Sequence, residues 1–191
     1  MATGKIIILT APSGAGKSSI AYYLLENNEW LAFSVSAATR EKRRGEIEGV
    51  HYYFLTPEDF RQKVKDDEFL EWEMVYKDNY YGTLRSEIER IWSEGKTPLL
   101  DIDVKGAIHI QQEYPNNTLS IFVEPPSVDV LEQRLRSRGT EAEEKIRTRM
   151  NKASYEISLK DSFDKIILND DLDNACAEAE KAIVEFVKQP G

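Results

Sequence analysis

Ala11-Pro12-Ser13-Gly14-Ala15-Gly16-Lys17-Ser18 is the stretch on which the reading of this chain turns. It follows a short apolar run, Ile6-Ile7-Ile8-Leu9, and precedes a helical pattern in which Ile20, Leu24 and Leu25 share one face. Strand, glycine-rich turn and helix, in that order, are the context of a phosphate-binding loop. Glycine lets backbone N–H groups turn inward around an anion with no Cβ in the way. The positive end of the following helix dipole points at the same place. Lys17 can then reach the outer phosphates of a nucleotide, and the Ser18 hydroxyl can take a place on Mg²⁺. The first glycine of G-x-x-x-x-G-K-[ST] is Ala11 here, at a position that needs a small residue more than a glycine. The competing reading is a Gly/Ser-rich turn with an ordinary solvated lysine. With strand, Gly-x-Gly-Lys-Ser and helix all in place, it is the weaker one.

Outward from the loop, strand and helix signals alternate. Residues 5–10 read as a strand, Lys17–Asn27 as a helix and residues 31–36 as a second strand. From Arg40 to Leu84 the rhythm breaks, and aromatic and charged residues dominate: Tyr52, Tyr53, Phe54, Phe69, Trp72, Tyr76, Tyr80 and Tyr81. One helix start is clear there, with Thr56 as N-cap, Pro57 in the first turn and Asp59 three residues after the cap. This segment reads as an α+β insertion with its own small core. The α/β rhythm then returns: helix 84–94, strand 98–103, helix 105–114 and strand 119–123, which Pro125-Pro126 ends. Ser127 should cap the next helix, with Val128, Leu131 and Leu135 turned inward, before Gly139 breaks it. A charged helical stretch at 141–159, a strand at Lys165–Leu168 and a helix at Leu172–Lys188 complete the chain. Five core strands with intervening helices imply an α/β fold, its five-stranded parallel sheet covered by helices on both faces.

The chain has 191 residues, enough for one well-buried α/β domain with small insertions. Hydrophobic content of 41% and charged content of 31% fit a soluble globular protein. No apolar run approaches the roughly 20 residues that span a bilayer, and the N-terminus runs straight into the first strand without a signal-peptide pattern. The single cysteine, Cys176, excludes an internal disulfide; it lies at helical spacing with Leu172, Ala179, Ile183 and Phe186 and reads as a core thiol. A cytoplasmic location is the simplest expectation. The net charge of −9 argues against general nucleic-acid or acidic-membrane binding, but not against small phosphorylated substrates held by local charge.

Four further groups carry chemistry. Leu99-Leu100-Asp101-Ile102-Asp103 is an apolar strand ending in two acids, either of which can hold Mg²⁺ directly or through water. The alternative is that both acids cap the following helix or face solvent. In the turn after residue 36, Arg40 and Arg43 suit a phosphate, with Tyr52 and its neighbours completing the shell; a solvated basic loop is the alternative. Glu71, within Phe69-Leu70-Glu71-Trp72, is either a solvent-facing strand residue or a carboxylate able to read two adjacent N–H groups of guanine. Arg134, Arg138 and Arg149 could close over phosphates in transit or simply pair with nearby glutamates. His51 and His109 are isolated and suggest no metal site.

Along nearly its whole length the chain resembles the guanylate kinases. The motifs are residues 11–18, Ser34-Val35-Ser36-Ala37-Ala38-Thr39-Arg40, Phe69-Leu70-Glu71-Trp72, Asn79-Tyr80-Tyr81-Gly82-Thr83, the stretch 100–106, Arg138-Gly139-Thr140-Glu141 and Asn169-Asp170-Asp171-Leu172-Asp173. The resemblance implies a phosphate-loop kinase core at 1–33, 84–126 and 156–191, a GMP-binding insertion at 34–83 and a helical lid at 127–155. It implies ATP + GMP giving ADP + GDP with Mg²⁺ on ATP, dGMP being an open alternative acceptor. By position, Ala11, Pro12, Ser13, Gly14, Ala15, Gly16, Lys17 and Ser18 would bind ATP, with Asn169 near the adenine. Arg40, Arg43, Tyr52 and Tyr81 would hold the GMP phosphate, and Ser36, Glu71, Thr83 and Asp103 would read guanine or lie beside it. Lys17, Arg134, Arg138 and Arg149 would act on phosphates, with Ser18 and Asp101 at the metal. Three departures stand out: Ala38 where the family often has Thr or Ser, Arg44 where a small residue or Pro is usual, and Lys105 for a frequent Gln. The rival readings are a guanylate-kinase-like domain that binds protein partners without catalysis, and a kinase for another nucleoside monophosphate.

Overall fold

The computed structural model describes residues 4–76, 79–137 and 143–189. In chain order the elements are β1 (Ile6–Thr10), α1 (Lys17–Asn27), β2 (Leu31–Phe33), β3 (Ala37–Ala38), β4 (Tyr53–Phe54), α2 (Pro57–Lys65), β5 (Phe69–Tyr76), β6 (Asn79–Leu84) and α3 (Arg85–Ser93). There follow β7 (Thr97–Asp101), α4 (Val104–Glu113), β8 (Thr118–Glu124), α5 (Val128–Ser137), α6 (Glu143–Ser158), a 3₁₀ turn (Lys160–Ser162), β9 (Lys165–Leu168) and α7 (Leu172–Lys188).

Five strands form one parallel sheet in the order β2-β7-β1-β8-β9. The first strand made is thus the central one, with Ile8 opposite Leu100 on one side and Ser120 on the other. Alternation along β1 divides its side chains between the faces. Ile7 and Leu9 pack with Ile20 and Leu24 of α1 and Cys176 and Ile183 of α7. Ile6 and Ile8 pack with Ile88 of α3 and Ala107 and Ile110 of α4. All five β1 side chains are fully buried, which is why this strand opens as an unbroken apolar run before Thr10.

Residues between 37 and 84 build a second, mixed sheet in the order β4-β3-β6-β5. Its small core is aromatic: Phe60 stacks on Phe69 at 4.2 Å and on Tyr80 at 5.3 Å between ring centroids. Thr56 caps α2 as its spacing predicts, its hydroxyl accepting from the Asp59 N–H at 3.0 Å.

The strand expected over 31–36 is two structures. The ladder ends after the Ser34 N–H donates to Leu99 O at 3.0 Å. The next N–H, of Val35, donates instead to the buried Glu87 carboxylate on α3 at 3.1 Å, and the chain turns away into β3. Glu87 also accepts from Tyr53 Oη at 2.9 Å and from Arg90 Nε at 2.9 Å, so one carboxylate ties α3 to the segment entering β3 and to β4. Val128 and Leu172, read as inward-facing, are exposed: each opens its helix, where the first turn projects beyond the packed stripe. Cys176 is buried, as expected of a core thiol. Among the described residues no helix is long and apolar enough to cross a membrane.

Candidate active site

The site lies where β1 and β7 end, the edge at which open parallel sheets bind ligands. Between β1 and α1 the loop turns through Gly14 (φ +97°) and Gly16 (φ +99°), conformations that side chains with a Cβ rarely adopt. Ala11 needs no such freedom: among the described non-glycine residues only Asp67 has a positive φ. Gly16 occupies the N-cap of α1, so no side chain covers the helix's first N–H groups and no acid stands in its first turn. An anion can take that place. The loop is braced from below. Asn169, at the end of β9 and buried, donates from its side-chain amide to Ala15 O at 2.6 Å. A Cβ on Gly16 would run into that same amide.

The Lys17 ammonium pairs with Asp101, the last residue of β7, and donates to Ile102 O at 3.1 Å. The Ser18 hydroxyl lies 3.5 Å from the other Asp101 oxygen. A hydroxyl and a carboxylate from adjacent elements suit a hard cation that takes its remaining ligands from water and phosphate. Among the described residues no group of three or more His, Cys, Asp or Glu could form an all-protein cage. Asp103 takes the capping alternative: its side chain caps α4, accepting from the Gly106 N–H at 2.9 Å. It also borders the open space beside the loop.

Among the described residues, two cavities open beside Lys17. One, of about 460 Å³, runs over the loop and is bounded beyond it by Asp101, Arg149, Lys152 and Glu156. The other, of about 330 Å³, reaches under the second sheet to Glu71, Glu73 and Tyr81. They share Lys17, Ser36, Tyr52, Asp101, Asp103 and Lys152.

At the far end of the second cavity Glu71 and Thr83 face each other across β5 and β6. Glu71 is 7% exposed and accepts from the Thr83 hydroxyl at 2.7 Å. Burial pushes its carboxyl up to about 7; the Thr83 hydrogen bond opposes this and the nearby Asp103 charge adds to it. Gly106 leaves the room this carboxylate occupies, since a Cβ there would meet Glu71 Oε2.

Nearer the junction, Arg40 lies over the Tyr52 ring at 4.8 Å, and Tyr52 meets Tyr81 edge to face at 6.0 Å. The Arg40 fork is filled by Glu46, with nitrogen–oxygen distances of 2.7 and 2.5 Å. The Arg43 N–H adds a third bond to Glu46 at 2.7 Å, while the Arg43 side chain is exposed. The Arg40 hydrogen bonds hold the Glu46 carboxyl down at about 2. Glu46 thus sits in Arg40's fork as a phosphate would. Its signal was present, an acid within a basic turn, but the sequence does not say which cation takes it.

From the α5–α6 side, Arg134 donates to Asn169 O at 3.4 Å, and Arg149 borders the loop cavity. Arg138, and with it the Gly139 helix break, lies outside the described residues. Lys152 and Glu156, which belong to none of the sequence motifs, join Arg149 at the cavity; the signal for them is their spacing of three and seven residues from it. Glu156 is 6% exposed, and burial raises its carboxyl although Lys152 opposes the shift. His51 also borders the loop cavity and accepts from the Ile47 N–H at 3.0 Å. Of the three departures, Ala38 is buried in β3, Arg44 is exposed, and Lys105 pairs with Glu73 at 3.2 Å.

Comparison with known proteins is consistent along the chain. The family model "Guanylate kinase" matches residues 3–186. Guanylate kinase of Bacteroides thetaiotaomicron is 49% identical over 187 residues, covering 98% of this chain and 92% of that one. The Porphyromonas gingivalis enzyme is 46% identical, covering 96% and 98%. The crystal structure of guanylate kinase from Anaplasma phagocytophilum superposes with a TM-score of 0.78 at 31% identity, covering 97% of this chain and 87% of that chain.

Proposed function

The chain belongs to the guanylate kinase family, and from that premise we propose which of its residues perform the reaction. The reaction is that of an ATP:GMP phosphotransferase, a nucleoside monophosphate kinase giving ADP and GDP. The observation that carries the assignment of residues is the pair of cavities joined at Lys17, Asp101 and Asp103. Residues 1–33, 84–126 and 156–191 act as the nucleotide-binding core, 34–83 as the acceptor-binding insertion and 127–155 as the lid. The separate second sheet supports this division.

ATP lies over residues 11–18, its phosphates against the loop N–H groups and Lys17, with Asn169, which braces the loop through Ala15 O, near the adenine. Ser18 and, through water, Asp101 would hold Mg²⁺, which when bound supplies charge neutralisation across the outer phosphates. GMP enters the other cavity. Its base meets Glu71, Thr83, Ser36 and Asp103. Its phosphate takes Arg40 and Arg43, with the Tyr52 and Tyr81 hydroxyls completing the shell. Arg40 then exchanges Glu46 for the phosphate. An oxygen of the GMP phosphate attacks the γ-phosphoryl group in line, and ADP leaves. No residue is needed as nucleophile; the protein aligns the two anions and stabilises charge in flight through Lys17, Arg134, Arg138 and Arg149. Closure of the lid excludes water that would otherwise hydrolyse ATP. We assign the protein to the cytoplasm, in keeping with its lone buried thiol. The non-catalytic reading is not favoured, since Lys17, Ser18 and the arginines are all retained. ADP formation with GMP, AMP, CMP and UMP in turn tests the assignment: GMP should be preferred, and equal rates would overturn it.

Arg149→Ala should lower kcat more than it raises KM for GMP, because Arg149 borders the loop cavity and not the guanine-side one. A raised KM with kcat unchanged would make it a ground-state binding residue. The Glu71 carboxyl gives a pH test. The N1–H and N2 amino group of guanine favour its ionised form, so GMP binding should release a proton near neutrality. GMP affinity should rise between about pH 6 and 8. The GMP phosphate itself titrates near 6, so the component to measure is the one that Glu71→Gln removes; identical pH profiles would refute it. The sign for stability is opposite. A pKa raised from 4.5 to about 7 by folding contributes stability that is full below 4.5 and lost as pH rises through 7 in the nucleotide-free protein.

A further inference from the structure

Among the described residues, two cations border both cavities: Lys17 from the loop and Lys152 from α6. Lys152 is the one described residue of α5 or α6 that reaches the guanine-side cavity. The helix arranges this. Met150 and Ala153 pack on Leu131 and Leu135 of α5. With that stripe turned to α5, residues 149, 152 and 156 fall together on the neighbouring stripe, towards the cavities.

The Lys152 side chain is half exposed, and its carboxylate partner Glu156 is one turn on, at 3.6 Å. That distance is too long for a hydrogen bond, so the pair orients the ammonium without occupying its donors. Glu156 itself is nearly buried, which fixes the point from which Lys152 is held.

A phosphoryl group passing between the cavities must cross the ring of side chains common to both, and its charge in flight is spread over three equatorial oxygens. We propose that Lys152 contacts the transferring phosphoryl group from the side opposite the loop, with Glu156 as its positioning residue. The inference rests on the two-cavity reading of the site. It adds no bond-making step: the phosphoryl group leaves the β-phosphate oxygen of ATP and ends on the GMP phosphate oxygen, and Lys152 keeps its protons throughout.

The test compares Lys152→Met, Lys152→Arg, Glu156→Gln and the double variant Lys152→Met/Glu156→Gln, with Lys17→Met alongside. Lys152→Met should lower kcat about 10- to 100-fold. GMP and a non-hydrolysable ATP analogue, titrated separately, should bind as in wild type. A bisubstrate analogue with guanosine and adenosine joined through five phosphates should bind more weakly. Lys152→Arg should restore most of kcat, and the double variant should stay as slow as Lys152→Met. Recovery in the double variant would overturn the proposal, because Lys152 would then serve only to neutralise Glu156. Wild-type turnover in Lys152→Met beside a collapsed Lys17→Met would overturn it alone. Wild-type turnover in both would overturn the two-cavity reading and the proposal with it.

Discussion

Lys17→Met is expected to cut turnover by about 10² or more while GMP still binds. Lys17 is the loop's own cation, at the start of α1, and its ammonium is shared between Asp101 and the Ile102 carbonyl. Those two acceptors keep the side chain extended along the floor of the junction, where outer phosphates would lie. Methionine has nearly the same length and no charge, so packing survives and the transition-state interaction does not. Loss of the ion pair leaves Asp101 with the Ser18 hydroxyl and solvent, which a residue at a cavity wall tolerates. The measurements are kcat from ADP formation and a direct GMP titration. Near-normal turnover would end the phosphate-loop reading. Lost GMP binding would place Lys17 in the acceptor site instead.

Glu71→Ala should compress the choice between GMP and AMP. Guanine offers N1–H and an N2 amino group side by side, and one carboxylate accepts both. Adenine places a lone pair at N1 and has no amino group at C2, so it offers this buried carboxylate no donor, an arrangement sites use to reject analogues by about 10⁴. Removing the charged acceptor should lower kcat/KM for GMP by roughly 2–4 kcal/mol, or about 30- to 1000-fold. AMP should remain poor but lose much less. The Thr83 hydroxyl loses its acceptor in this variant, so thermal stability should be recorded too. Glu71→Gln keeps the size and serves as the companion. An unchanged GMP-to-AMP ratio in both variants would show that guanine is read elsewhere.

The sequence was most legible where local chemistry decides structure. Helices Lys17–Asn27 and Leu172–Lys188 and strand Lys165–Leu168 fall where periodicity puts them. It was least legible where a distant group captures the backbone. Leu31 to Ser36 reads as continuous strand, and only Glu87, 52 residues beyond Val35, ends it. The loop lysine and the acid that ends β7 were legible in position for the same reason as the helices: their places in strand, turn and helix are set by neighbours a few residues away. Asp103 could not be resolved between cap and site because it serves the first and borders the second. Asn169 bracing Ala15 spans 154 residues, and no pattern in either segment announces it. Lys152 was hidden in a charged helix, where only the packing against α5 tells which charges face inward.

The central place of β1 has a consequence for how the chain is made. Its neighbours in the sheet, β7 and β8, are synthesised only after the whole second sheet has been translated. At about 5–20 residues per second, Ile6-Ile7-Ile8-Leu9 waits on the order of ten seconds with its backbone unpaired. A bare apolar strand with high β-propensity is what holding chaperones bind and what nascent chains aggregate through. The segment between β3 and β6 has its own aromatic core and can condense meanwhile, so the second sheet is in a position to form on the ribosome before the parallel sheet closes around its first strand.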